Sequence, residues 1–136
     1  MIPFQTKFFP LPGTSYKEVY RAAVEIYSGI EKRTKRKPYL RSAYFHKQKI
    51  FFDYFWTHLL QKPFSERVRR LKFFSAAVEL IRESRNHPLT VQNPSKETEI
   101  LHRFAGNSKD KKLFYVQIKE NKRTGRKQLM SVFPAR

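Results

Sequence analysis

The chain lacks cysteine, long apolar segments and an adequate supply of acidic residues, and each absence excludes a class of protein. Without cysteine it can form no disulfide, Cys-ligated zinc site or catalytic thiolate, and we expect a reducing, cytoplasmic location. No apolar run approaches the ~18 residues of a membrane-spanning helix, so we expect no membrane association. The first residues, MIPFQTK, also lack the order of a secretory signal peptide.

The shortage of acidic residues gives the 136-residue chain a formal net charge of +18, from 29 Lys and Arg against 11 Asp and Glu. The excess is spread along the chain, with 18 basic and 7 acidic residues in 1–86 and 11 and 4 in 87–136. Self-repulsion at this level opposes compaction, so a polyanionic partner is its natural explanation. Nucleic acid is favoured over an anionic membrane or an acidic protein. A solvated basic surface without such a partner is the alternative, and the oligomeric state stays open.

Aromatic and aliphatic residues at helical spacing dominate the first part of the chain. Ser15 and Glu18 have the spacing of a capping box, and the helix that follows is expected to end between Ser28 and Glu31. A long helix is predicted from about Leu40 to Leu60, with a third from near Ser65 onward. Three helices with short connections suggest a small bundle.

Residues 85–97 are rich in Asn, Pro and Ser and mark a change of pattern. They separate a basic, aromatic-rich helical region, 1–86, from a β-rich region, 87–136, which we expect to form one compact unit together. The predicted fold class is therefore α+β, with an N-terminal helical bundle of about three helices packed with a small C-terminal antiparallel sheet.

Alternation with a period of two assigns the residues of the C-terminal strands to two faces. His102 and Arg103 must lie on opposite faces, and the sequence leaves open which of them is outward. Gly125 suits a positive φ in the hairpin loop 121–126. The predicted inward set is Phe114, Val116, Ile118, Met130 and Val132; the outward set is Tyr115, Gln117, Lys119 and Ser131.

The outward residue types suit RNA cleavage by transesterification, with His102, Arg103, Tyr115, Lys119 and Ser131 as catalytic candidates. This reaction removes a proton from the 2′-hydroxyl, stabilises a phosphorane and protonates the 5′-oxygen. Histidine can transfer either proton, Lys and Arg can stabilise the phosphorane, and Ser or Tyr can donate a hydrogen bond. The route requires no metal or other cofactor, and His46, His58 and His87 show no metal-ligand spacing.

Clustered cations supply candidate contacts to phosphate. One cluster lies before Pro38, one on the third helix and one in the last hairpin, and Gln117 adds a polar contact on the sheet. A solvated basic loop is the alternative for the first cluster. The candidates are Lys32, Arg33, Lys35, Arg36, Lys37, Arg67, Arg69, Arg70, Gln117, Lys122, Arg123 and Arg126.

Residues 101–134 read LHRFAGNSKDKKLFYVQIKENKRTGRKQLMSVFP, about a quarter of the chain. This segment resembles the C-terminal module of phage-type nucleases in the barnase–EndoU–colicin–RelE superfamily. The resemblance implies a helical segment packed on a twisted antiparallel sheet, metal-independent ribonuclease activity, and a toxin-like role restrained by an acidic antitoxin. It also implies that His102 is the family histidine, Lys119 the strand cation and Ser131 the hydroxyl residue of the last strand.

Three functions compete at this point. The first is a toxin-like endoribonuclease, favoured by the His-Arg strand and by the resemblance. The second is a protein that binds nucleic acid on the same basic surface without cutting it. The third is a protein whose basic surface binds an acidic protein. Charge alone supports all three.

Overall fold

The structure, a computed structural model, describes residues 1–135. It contains four helices and seven strands. In chain order these are β1 (Phe4–Gln5), α1 (Tyr16–Lys32), β2 (Tyr39–Ser42), β3 (Gln48–Phe51), α2 (Asp53–Leu60), α3 (Phe64–Leu71), α4 (Phe74–Glu83), β4 (Leu89–Gln92), β5 (Glu99–Asn107), β6 (Leu113–Asn121) and β7 (Lys127–Pro134).

All seven strands belong to one mixed sheet, which curls into a half-barrel. Its order is β1-β5-β6-β7-β3-β2, and β4 pairs with β5 beside β1. The β1–β5 and β3–β7 pairs are parallel, and the others are antiparallel. The predicted fold class, a helical bundle packed with a small antiparallel sheet, is therefore wrong, because the sheet also takes three strands from residues 1–86.

The predicted helix from Leu40 to Leu60 is half wrong, because residues 39–51 form a hairpin. Leu40 pairs with Ile50, and both side chains are buried. The turn between the strands holds His46 and Lys47 at positive φ, which no helix allows. The aromatic spacing in this segment fits a helix, but pairing of β3 with β7 decides its conformation, since tertiary context overrides local propensity. Of the predicted helix, only the C-terminal part is helical, as α2 (Asp53–Leu60).

The predicted Ser15 cap at the start of α1 is confirmed, but the reciprocal bond of a capping box is not formed. Ser15 Oγ accepts from the Glu18 backbone amide at 3.3 Å, while Glu18 reaches back to the Ser15 hydroxyl rather than to its amide. The predicted third helix is instead two helices, α3 and α4, which meet at Lys72 and Phe73. The Lys72 carbonyl accepts a hydrogen bond from the Leu11 amide at 2.7 Å, so the N-terminal segment satisfies the carbonyl of the residue that caps the end of α3.

The core lies between one sheet face and the helices. Phe114, Val116 and Ile118 of β6 are at most 1% exposed, which confirms their predicted inward direction. α4 packs on β2 and β5, and α2 and α3 pack on β7. Gly106 allows this close contact, since a Cβ there would lie 2.6 Å from Phe114 Cζ and 2.8 Å from Leu80 Cδ1.

A β-bulge in β7 overturns the predicted inward direction of Met130. Gln117 pairs with Ser131 but Ile118 pairs with Leu129, so Met130 is the extra residue. Met130, predicted to point inward, is only half-buried, and beyond the bulge Leu129 and Lys127 face the core. Ser131 keeps its predicted place beside Gln117. The predicted positive φ of Gly125 is confirmed at 74°.

No helix within residues 1–135 combines the length and the apolar character needed to cross a bilayer.

Candidate functional site

The structure gathers the predicted outward residues on one face of the sheet, which we call the polar face. Arg103 pairs with Gln117 across β5 and β6, and its Nε donates to Gln117 Oε1 at 3.1 Å. The Arg103 guanidinium also lies over the rings of Tyr115 and Phe133, at 5.6 and 5.3 Å from their centroids. Arg103, rather than His102, is therefore the member of the His-Arg pair that shares this face. The polar face is formed by Arg103, Tyr115, Gln117, Lys119, Ser131 and Phe133.

A narrow cleft runs along the edge of β7, where α2 and α3 approach the sheet. Its walls are packed too closely to admit a water-sized sphere, and the polar side chains along it are His58, Arg70 and Ser131. Arg70 also lies over the Phe133 ring at 5.5 Å, on the ring that Arg103 contacts. The β7 cleft thus places the imidazole of His58 and the guanidinium of Arg70 beside the Ser131 hydroxyl, which belongs to the polar face. It is lined by Phe55, His58, Leu59, Arg70, Met130, Ser131 and Val132.

The surroundings of His58 favour its neutral form. Burial lowers the pKa of the imidazole, and the positive charges of Lys62, Arg70 and Lys119 lower it further. The ring stacks on Tyr54, one helical turn earlier, with centroids 5.4 Å apart. A neutral imidazole held among three cations is equipped to accept a proton near a bound anion.

Lys119 connects the cleft to the polar face. Its Nζ lies 3.6 Å from the Tyr54 ring centroid and 3.5 Å from Glu99 Oε2. Burial opposes ionisation of Glu99, but Lys119, the Asn93 amide and Lys96 outweigh it and lower the pKa of the carboxyl. The Lys119 ammonium is therefore held in place by an aromatic ring and a carboxylate, and only 16% of its side chain is exposed.

His102 lies on the core face, away from the cleft. Its Nε2 is 2.8 Å from Glu120 Oε1, so it donates to this carboxylate, and its Nδ1 is 2.9 Å from Thr90 Oγ1. Glu120 Oε2 in turn lies 3.8 Å from Lys127 Nζ, which bonds Gln48 Oε1 at 2.5 Å. We call His102, Glu120 and Lys127 the buried triad. With both imidazole nitrogens engaged and 9% of the side chain exposed, His102 is not brought together with the other catalytic candidates.

The arginines of α3 are each engaged within the protein. Arg67 donates to the backbone carbonyls of Lys62 and Leu60 at 2.8 and 2.6 Å. Arg69 and Arg70 both bond Glu66, at 3.1 and 2.9 Å. Of the three predicted phosphate contacts, only Arg70 lines the β7 cleft.

The loop cations lie in a separate hollow of about 710 Å³, which we call the basic groove. It lies between the segment after α1, the β2–β3 hairpin and the start of β7. Lys32, Lys122 and Arg123 are exposed outside its lining. The groove is lined by Arg33, Lys35, Arg36, Lys37, Tyr39, Lys49, Phe51 and Arg126.

Sequence reasoning missed His58, Tyr54 and the cations of the β2–β3 hairpin. The spacing of four between Tyr54 and His58 does place them on one side of a helix, but nothing local shows that this side faces β7. The hairpin had a weak local signal, since Leu40 and Ser42 are buried while Tyr39 and Arg41 are more exposed. That alternation was too short to outweigh the aromatic spacing.

Comparison of the chain with protein-family models, with curated proteins and with solved structures finds no match. Within residues 1–135, no three His, Asp or Glu side chains converge as a metal ion would require.

Proposed function

We propose that this protein is an endoribonuclease that cleaves RNA by 2′-OH transesterification at the β7 cleft, without a metal. The observation that carries the proposal is the position of His58, a partly buried imidazole of lowered pKa that lines the closed cleft together with Arg70 and Ser131, so that RNA must part the walls of the cleft to reach these groups. The reaction needs a base, a positive field for the phosphorane and hydrogen-bond donors, and the cleft has all three.

Each residue then has a defined part. His58 takes the proton of the 2′-hydroxyl, whose oxygen attacks the adjacent phosphorus. Arg70 and Arg103, on the ring of Phe133, stabilise the charge of the phosphorane. Ser131 donates a hydrogen bond to a phosphate oxygen, and Lys119 protonates the 5′-oxygen as the P–O5′ bond breaks. The products are a 2′,3′-cyclic phosphate and a free 5′-hydroxyl.

The test is cleavage of single-stranded RNA by the purified protein in EDTA. We expect cleavage to persist after chelation and to fall about 10²- to 10⁴-fold in His58→Ala, the range for loss of a general base. Lys17→Ala, an exposed cation at the start of α1, is the matched control and should leave the rate unchanged. Circular dichroism should show each variant folded.

Three outcomes would refute the proposal: RNA that stays intact, cleavage abolished by EDTA, or a His58→Ala rate equal to that of the control. The His102→Ala variant shows which of the two histidines, His58 or His102, is needed for cleavage. A folded His102→Ala variant should keep most of the activity, since His102 faces the core. Loss of activity in His102→Ala alone would indicate that the catalytic site lies on the core face of the sheet, at His102.

The alternative is a protein that binds RNA without cutting it. One observation favours it: Arg70 is bonded to Glu66 and Lys119 lies beside Glu99, so two cations of the site already have carboxylate partners. Tight, salt-dependent binding with intact RNA would select this function.

The toxin-like role, the acidic antitoxin and the cytoplasmic location remain predictions. The net charge of +18 supports an acidic protein partner as well as RNA. Expression of the protein should slow growth of the host cell, and His58→Ala should relieve this effect. Equal toxicity of the two forms would count against the toxin prediction.

A further inference from the structure

The basic groove combines cations with two half-buried aromatic rings, Tyr39 and Phe51. Lys49 Nζ lies 4.7 Å from the centroid of the Tyr39 ring, and Arg126 Cζ lies 3.8 Å from that of Phe51. The two rings are cross-strand partners, with centroids 5.9 Å apart. Single-stranded nucleic acids are bound by such mixtures, because bases stack on rings while cations follow the phosphates.

The groove continues into a second hollow of about 600 Å³, with which it shares Lys49, Phe51 and Arg126. This hollow adds Arg41 and Lys47 from the β2–β3 hairpin. Among the described residues, no Asp or Glu lines either hollow. A continuous positive track of this kind attracts a polyanion and is longer than a single phosphate requires.

The cations of the groove are available to a ligand. The carboxylate that contacts them is Asp53, which lies 3.6 Å from Lys37 Nζ and 3.7 Å from Arg126. The Lys37 and Asp53 side chains are 65% and 44% exposed, and ion pairs as exposed as these contribute little stability. Phosphates can therefore replace Asp53 at low energetic cost.

Helix α2 connects the groove to the β7 cleft. Its first residue, Asp53, contacts the groove, and the next residue, Tyr54, contacts Lys119. His58 lies about 7–8 Å from Asp53 along the helix axis. We propose that the basic groove binds single-stranded RNA, with Tyr39 and Phe51 as stacking surfaces, and leads the strand to the cleft. The second part rests on the proposed function, whereas the binding itself does not.

The test uses fluorescence anisotropy with a labelled single-stranded 2′-O-methyl RNA, which has no free 2′-hydroxyl and cannot be cleaved by this route. Tyr39→Leu should weaken binding about 5- to 160-fold, the range for loss of one base–aromatic stack, while Tyr39→Phe should retain it. Lys49→Gln should weaken binding and lower the salt slope by about 0.7. Lys17→Gln, at the far end of α1 from Arg33, is the control.

The inference is overturned if a duplex of the same sequence binds as tightly, if Tyr39→Leu and Lys49→Gln behave as the control does, or if no RNA binds. Binding through the groove without cleavage of ordinary RNA would support the inference and refute the proposed function. Cleavage that is insensitive to the groove substitutions would support the proposed function and refute the second part of the inference, that the groove leads the strand to the cleft. Thermal unfolding of each variant shows whether a loss of binding reflects a loss of fold.

Discussion

The buried triad offers the sharpest test of how the sheet is held together. Lys127 Nζ lies 3.8 Å from Glu120 Oε2, and only 7% of the lysine side chain is exposed. At an effective dielectric constant of about 20, two unit charges at this distance attract by about 4 kcal/mol. Glu120→Gln keeps the shape and a hydrogen-bond acceptor for His102, but it leaves the buried ammonium without its countercharge.

Because Glu120 is 22% exposed, we expect a loss of about 2–3 kcal/mol in the free energy of unfolding, somewhat below the usual cost of breaking a buried pair. Lys127→Met should cost less, since the Glu120 carboxylate left behind still bonds His102 and reaches solvent. The double variant should therefore be more stable than the sum of the single losses implies, with a coupling energy of about 1–3 kcal/mol.

Urea unfolding followed by circular dichroism measures all three variants. Glu25→Gln, an exposed carboxylate on α1, is the control and should stay within about 0.5 kcal/mol of the parent. Additive single and double losses, or a Glu120→Gln variant as stable as the control, would refute the reasoning. The same variants also test function, because a structural triad predicts that RNA cleavage by the folded fraction is preserved.

Three further predictions concern other regions of the chain. Burial, aided by neighbouring cations, lowers the pKa of His58, so the cleavage rate should fall with acidification only below pH ~6.5. Lys119→Met removes one of these cations and should raise the pKa of His58 in an NMR titration. Gly106→Ala should cost about 1–3 kcal/mol in urea unfolding by overpacking, whereas Gly29→Ala, with open space in α1, should be neutral or stabilising. Hydrogen bonds from α3 arginines lower the pKa of Glu66 from 4.5 to about 2. The pKa of Glu66 is lower in the folded protein than in the unfolded chain, so its ionised form stabilises the fold by about 1–3 kcal/mol above pH 4.5. This stabilisation is lost as the pH falls toward 2. Glu66→Gln should remove this pH dependence of the free energy of unfolding.

The elements predicted correctly are those whose signals are local. The Ser15 cap fixed the start of α1, and alternation along β6 separated the buried Phe114 from the half-buried Tyr115. Alternation also placed His102 and Arg103 on opposite faces. It did not reveal which of them was outward, because that depends on which sheet face the helices cover.

The errors arose where distant parts of the chain decide the structure. The segment around Ile50 has helical spacing, but it becomes a strand by pairing with Lys127 of β7. The bulge at Met130 has no local signal, and it moved Leu129 into the core against the expected alternation. His58 was visible in the sequence, yet its position beside Arg70 and Ser131 follows only from the packing of α2 and α3 on β7.

The parallel pairing of β3 with β7 has a consequence for the route by which the chain folds. Gln48 and Lys127, which bond across this pair, are 79 residues apart, and Thr6 bonds Asn107 across 101 residues. Closing such large loops slows folding, so we expect refolding in milliseconds to seconds rather than microseconds. The β2–β3 hairpin, which supplies Tyr39, Lys49 and Phe51 to the basic groove, has no edge to join until β7 is formed. A fragment of residues 1–86 should therefore fail to fold alone, and its exposed hairpin edge would favour aggregation.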